Sequence, residues 1–189
     1  MKGRAFMVRF ADDAVLVFER EEDARRVMAV LPERFAKYGL TLHAEKTRIL
    51  SFKRPGDAGA GGGDPETMDF LGFTHFWAKS RRGYWVIKRR TAWDRFSRSL
   101  KGLSQWMRAV RHRPIGEQHK TLCSKMRGHV QYYGITGNSE AMSRYVYSVR
   151  RLWKKWLGRR SHKAHRNWEW FSAMIQRFPL PKPVVVHSC

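Results

Sequence analysis

Apolar positions follow two rhythms along this chain. Up to about residue 90 they cluster in short, β-rich runs, and beyond that they recur at steps of three and four. AFMVRF and AVLVF, separated by the acidic ADD, predict two strands around a tight turn, a β-hairpin. From Glu21 to Tyr38 the residues Ala24, Val27, Met28, Leu31, Phe35 and Tyr38 keep helical spacing, with acids at the N-terminal end and Gly39 as a stop. Pro32 interrupts this stretch, which predicts a kink or a restart with Pro32 in the first turn of a second short helix. Thr47 to Phe52 reads as a strand, and RPGDAGAGGGDPE as a flexible loop without a phosphate-loop pattern. A second strand pair is predicted from Phe70 to Trp77 and from Tyr84 to Lys88, joined by a basic turn around Ser80 to Gly83.

Past Arg90 the periodicity is helical. Trp93, Phe96, Leu100, Leu103, Met107 and Val110 form one apolar stripe, with Thr91 and Asp94 as a capping box at its start. Pro114 opens a second helix with the stripe Ile115, His119, Leu122, Met126, Val130 and Tyr133, which Gly134 ends. A third follows, capped by Asn138 or Ser139, whose buried face is Met142, Tyr145, Val146, Val149, Trp153 and Trp156. A last short helix from Trp168 to Phe178 stops at Pro179, Pro181 and Pro183. The predicted fold class is α+β, a small mixed piece over residues 1–90 followed by a helical bundle over residues 91–189.

Charge divides the chain at nearly the same place. Of 189 residues, 38 are Lys or Arg and 16 Asp or Glu, a formal net charge of +22. Residues 1–76 hold 12 basic and 12 acidic side chains, so the entire excess lies in residues 77–189, which also hold all eight tryptophans. Such an excess repels itself unless a polyanion neutralises it, which points to nucleic acid. With 42% hydrophobic and 13% aromatic residues the chain has the mass for a core, which argues against a disordered basic tail. No run approaches the roughly 18 apolar residues of a membrane span, and the opening MKGRAFMVRFADD turns acidic before a signal-peptide stretch develops. The expectation is a soluble, cytoplasmic protein, ribonucleoprotein- or nucleoid-associated, with no membrane partner. Cys123 and Cys189 stand far apart and outside any zinc-ligand spacing, so neither a disulfide framework nor a structural zinc is indicated.

Asp12 and Asp13, at the tip of the first hairpin, are the candidate chemistry. Acids favour turns, and a turn is one reading of the pair. The other is a divalent-cation site, in which Mg2+ neutralises two like charges that otherwise cost roughly a few kcal/mol at intermediate dielectric. Two such ions can activate a hydroxyl and stabilise a leaving pyrophosphate.

The ordered words RFADD, GLTLHAEKTRIL, FLGF, RGHVQYYGITGN, RRLWKKWLGRRS and PLPKPVVVHS resemble the reverse transcriptase and maturase encoded by group II introns, over nearly the whole chain. The resemblance implies a C-terminal half of the polymerase palm (residues 1–90) and a thumb or maturase-specific domain (residues 91–189). Asp12 and Asp13 match the family's metal-binding pair, with Mg2+ as the expected cofactor; Phe10 stands where the family usually has Tyr, keeping a ring and losing a hydroxyl. Lys46, in EKT, matches the palm lysine associated with pyrophosphate departure, against the alternative of a surface lysine before a strand. Phe70, Leu71, Gly72 and Phe73 match the primer-grip turn, which is compatible with an ordinary strand carrying a glycine bulge.

The implied partner of the helical part is intron RNA or an RNA–DNA duplex, read by shape along the minor groove. Arg89, Arg90, Arg108, Arg111, Arg113, Arg127, Arg150, Arg151, Lys154, Lys155, Arg159, Arg160, Lys163 and Arg166 supply the charge, many of them as the wet side of amphipathic helices. Tyr132, Tyr133 and Asn138 match the YYG and GN words, with core tyrosines and a helix cap as the plain alternative; the tryptophans are expected in the core, one or two of them free to stack on bases. Relative to the family, fingers, the first half of the palm with a further aspartate, and an appended zinc nuclease are not recognisable. RNA-directed DNA polymerisation is therefore expected only where another polypeptide supplies the fingers and first palm half, with no small-molecule cofactor beyond deoxynucleotides. The alternatives are a non-catalytic maturase module that assists splicing and an inactive remnant of a mobile element.

Overall fold

The computed structural model describes residues 1–56, 66–161 and 167–188. The Gly-rich stretch 57–65, Lys163, Arg166 and Cys189 lie outside the described residues. The fold is α+β, as the patterning predicts, and divides into two compact units, Met1–Leu71 with His75–Ile87 and Gly72–Thr74 with Lys88–Cys189.

In the first unit, β1 (Ala5–Phe10) and β2 (Asp13–Phe18) pair antiparallel in register from Ala5↔Phe18 to Phe10↔Asp13. This is the predicted hairpin, and its two-residue loop is Ala11 and Asp12. Helix α1 (Glu21–Ala36) runs through Pro32 as one helix, without the restart that the sequence left open. Its acid Asp23 is buried and accepts the N–H groups of Lys2 and Gly3, both at 2.9 Å. Those bonds, Gly3 first, hold its carboxyl below the usual range.

No strand forms over Thr47–Phe52, contrary to the sequence expectation. A strand needs a neighbour for its backbone groups, and here side chains take them: the Glu66 carboxylate accepts the Ser51 N–H, and the Trp77 indole donates to the Phe52 carbonyl at 3.3 Å. The single strand expected from Phe70 to Trp77 is two. β3 (Met68–Phe70), β4 (Phe73–Lys79) and β5 (Trp85–Thr91) form a sheet in that order, with a turn at Leu71–Gly72.

The second unit contains nearly all of the buried apolar side chains. Helices α2 (Trp93–Val110), α3 (Ile115–Tyr133), α4 (Ser139–Gly158) and α5 (Trp168–Arg177) enclose Met107, Leu122, Met126, Val149, Trp153 and Phe171, all at or near zero exposure. The predicted stripes supply this core because residues three and four apart share a helix face. Helices α2 and α4 run side by side in the same direction: Phe96 meets Tyr145 near their starts, and the Trp156 indole donates to Ser104 Oγ at 3.0 Å near their ends. Helix α3 returns antiparallel, placing His129 at Ser99 and Gln118 at Trp153.

Thr91 does not cap α2. The N-terminal flanking residue is Ala92, which has no capping side chain, and Thr91 ends β5 facing Asn138. Beyond α5 the chain crosses back over the end of α3, where Ile135 bridges His187 in parallel. Gly134 permits this passage, since a Cβ there would lie 2.7 Å from the Val184 carbonyl oxygen.

Candidate functional site

Asp12 and Asp13 sit where the hairpin register predicts, Asp12 in the two-residue loop and Asp13 opening β2, and both are exposed. Consecutive residues at a strand edge project in different directions, so the pair presents carboxylates from two sides of one turn. Neither forms an ion pair among the described residues. The loop is set by Ala11 at φ 49°, its carbonyl accepting from Arg9 Nε at 3.0 Å. Two-residue hairpin loops demand positive φ, and alanine meets that demand at a cost of about 1–3 kcal/mol.

The Phe70–Phe73 word forms the second tight turn. Leu71 at φ 49° and Gly72 at φ 78° are its central residues, the pattern of a type I′ hairpin, with Phe70 ending β3 and Phe73 opening β4. Ala11 and Leu71 are the only non-glycine residues with positive φ among the described residues. Each lies inside one of the words singled out for chemistry. Strain of this kind persists where surrounding structure imposes it and concentrates at functional sites. In the second unit, Phe73 stacks on Tyr132 at 5.9 Å and meets Tyr133 edge-on at 5.3 Å. A Cβ on Gly72 would stand 3.0 Å from Tyr133 Oη.

Lys46 lies in a turn at residues 44–46, exposed, its N–H bonded to the His43 carbonyl at 3.1 Å. No ion pair joins it to Asp12 or Asp13 among the described residues. No group of three or more His, Cys, Asp or Glu side chains suited to a metal ion occurs among the described residues. The two hairpin carboxylates are hard oxygen donors without a protein cation beside them, a donor set that fits Mg2+ as two of its ligands.

The hairpin also exposes its apolar side chains on both faces: Phe6 66%, Met7 65%, Phe10 63% and Val17 51%. Side chains of this size gain roughly 1.5–3 kcal/mol each on full burial. An uncovered strand edge with such faces is a surface built to be covered.

In the second unit the basic residues face outward. Arg108, Arg127, Arg150, Arg151, Lys155 and Arg159 are exposed, and none of them forms an ion pair among the described residues. Arg89, Arg111, Lys154 and Arg160 are half-buried, and Arg90 is exposed. Several cations lie over aromatic rings: Lys154 Nζ at 4.7 Å from the Trp168 ring, Arg151 at 5.8 Å from Tyr147, and Lys155 and Arg159 at 5.6 and 5.3 Å from Trp156. Such pairs hold a positive head and a flat face together at the surface.

Two expectations need correction. Trp93, assigned to the apolar stripe of α2, is 71% exposed and stacks on Phe96 from outside, and Tyr132 is 54% exposed rather than core. Both lie at helix ends, where the last turn of a stripe has no facing helix to cover it. Sequence reasoning also missed the buried triad of Ser99, His129 and Tyr145. Its rings stack at 3.6 Å, and burial pushes the His129 imidazole down to about 4. The helical register of Ser99 and His129 was the available signal, hidden because His129 lies one residue off the predicted stripe of α3.

Against known proteins, one stretch finds a counterpart. Residues 1–75 match the family model of reverse transcriptase (RNA-dependent DNA polymerase). The similarity to reverse transcriptases thus spans both strained turns, Asp12, Asp13, Lys46 and Phe70–Phe73, and stops before the helical unit. No curated protein matches the chain. An α+β arrangement of hairpin, helix and strands followed by helices fits a partial reverse transcriptase palm with a helical region after it.

Proposed function

We propose that this chain is the C-terminal palm and thumb portion of a group II intron reverse transcriptase and maturase, binding intron RNA or an RNA–DNA duplex through its basic helices. The carrying observation is the coincidence of the reverse transcriptase match with both strained turns, in a chain whose whole positive excess lies in the part that follows. In this reading Asp12 and Asp13 supply two carboxylate ligands to Mg2+, which when bound contributes Lewis-acid stabilisation of the transferring phosphate. Lys46 places a cation for the departing pyrophosphate, and the Phe70–Phe73 turn positions the primer end. The exposed cations of α2 and α4 hold phosphates.

The uncovered hairpin faces support a further partner, a polypeptide that supplies fingers and the first palm half and buries Phe6, Met7 and Phe10. Primer extension with Mg2+ tests this: incorporation is expected with such a polypeptide added and not with this chain alone. Incorporation by this chain alone overturns the proposed need for the partner.

A second reading is a splicing module that uses only the helical unit. It is favoured by the placement of every assigned phosphate-binding cation outside the matched stretch. An Asp12→Ala, Asp13→Ala variant that promotes intron splicing as well as the wild type supports it.

A further inference from the structure

Helices α2 and α4 run in the same direction, so their C-terminal ends meet at one end of the helical unit. Helix C-termini carry partial negative charge and unpaired carbonyls, and arginines gather there for that reason. Two of them are consumed by the fold. Arg160 donates to the carbonyls of Arg111 and Arg113, tying the end of α4 to the turn after α2, and Arg111 donates to the Arg108 carbonyl at 2.8 Å. Arg108 and Arg159 are left over. Both are exposed, and neither forms an ion pair among the described residues.

Between them lies Trp156. Its indole N–H is committed to Ser104 Oγ at 3.0 Å, which fixes the ring plane, and the Arg159 guanidinium stands 5.3 Å from its centroid. Arg108, Arg111, Trp156 and Arg159 line an open depression of about 360 Å3 with no acidic residue in its wall. That volume falls within the roughly 300–1,000 Å3 of small-ligand sites. Guanidinium groups grip phosphate through paired N–H donors, and a fixed indole beside a guanidinium offers a flat, polarisable surface.

We propose that this junction is a subsite for one unpaired nucleotide of RNA, its phosphate held by Arg108 and Arg159 and its base laid against Trp156 and Arg159. The proposal rests on the RNA-binding reading of the helical unit and deepens it. A duplex hides its base faces in the stack, so only an unpaired base uses the aromatic floor. An acidic peptide would satisfy the arginines but leave that floor idle.

The test uses the full chain, with fluorescence anisotropy of a labelled oligouridylate and of a blunt RNA duplex across a salt series. Arg108→Gln with Arg159→Gln is the first variant, chosen because both side chains are exposed; Trp156→Phe is the second. For the oligouridylate, the double variant is expected to bind about tenfold more weakly or worse, with a salt slope shallower by about 1.4, that is about 0.7 for each lost phosphate contact. Trp156→Phe is expected to weaken the oligouridylate more than the duplex. Unchanged affinity and slope in the double variant, with wild-type binding intact, overturns the subsite and leaves the RNA-binding reading standing. Equal losses for oligouridylate and duplex overturn the assignment to an unpaired nucleotide. Polyglutamate competing as well as oligouridylate assigns the arginines to an acidic peptide instead. Wild-type protein that binds neither RNA overturns both readings.

Discussion

The buried amide of Asn138 and the end of strand β5 at Thr91 form a closed pair: Asn138 Oδ1 accepts the Thr91 N–H at 3.0 Å, and its Nδ2 donates to Thr91 Oγ1 at 2.9 Å. The same Nδ2 donates to the Tyr133 carbonyl at 2.8 Å, so one side chain, 1% exposed, joins the end of β5, the end of α3 and the start of α4. Asn138 occupies the capping position of α4 but makes no capping bond with its side chain.

Removing that amide orphans buried groups on two elements. Asn138→Ala is expected to destabilise the helical unit by roughly 2–4 kcal/mol, lowering Tm by roughly 10 °C or more for a unit of this size. Ser139→Ala, one residue on and exposed, is expected to change Tm little. Thermal melts of the two variants check the contrast.

Acid sensitivity follows from His129. Burial holds its imidazole at about 4, against 6.5 in the unfolded chain, so between those values the unfolded state binds a proton that the folded state refuses. Stability is therefore whole above about pH 6.5, falls as the pH drops toward 4, and is flat below that with respect to this group. The full loss is on the order of 3 kcal/mol, reduced by whatever solvent reaches the ring. Melts from pH 7 to 4 should show the wild type losing stability through this window and His129→Leu losing less.

Two glycines are expected to respond in opposite directions. Gly72→Ala sets a methyl at φ 78° and 3.0 Å from Tyr133 Oη, with an expected cost of about 1–3 kcal/mol. Gly102→Ala, inside α2 with nothing within 4 Å of the added carbon, is expected to gain about 0.5–1 kcal/mol. Denaturant titrations of both variants measure the signs.

How much of this could be read from the sequence depended on how local the cause was. The stripes of α2, α3 and α4 were legible because a 3.6-residue period is written in the chain itself, and the ADD hairpin because its turn is two residues long. Thr47–Phe52 was misread because its β-branched residues promise a strand only if a neighbour accepts the backbone groups, and Glu66 and Trp77 take them instead. Thr91 was read as a cap from its distance to Asp94, whereas a residue 47 positions away claims it. At the candidate site, the words FADD and FLGF were visible, but the positive φ of Ala11 and Leu71 that sets those turns apart was not. The junction around Trp156 was invisible for a further reason, since it exists only because α2 and α4 run parallel.

The central claim is a division of labour, with phosphate binding in the basic helices and metal ligation at Asp12 and Asp13. The most direct measurement is the affinity of the full chain for a group II intron RNA over a series of salt concentrations, for the wild type and for Asp12→Ala, Asp13→Ala. The account predicts a steep linear fall of log K with log salt, of the same slope and intercept in both proteins. Affinity independent of salt, or lost with the two carboxylates, would contradict it.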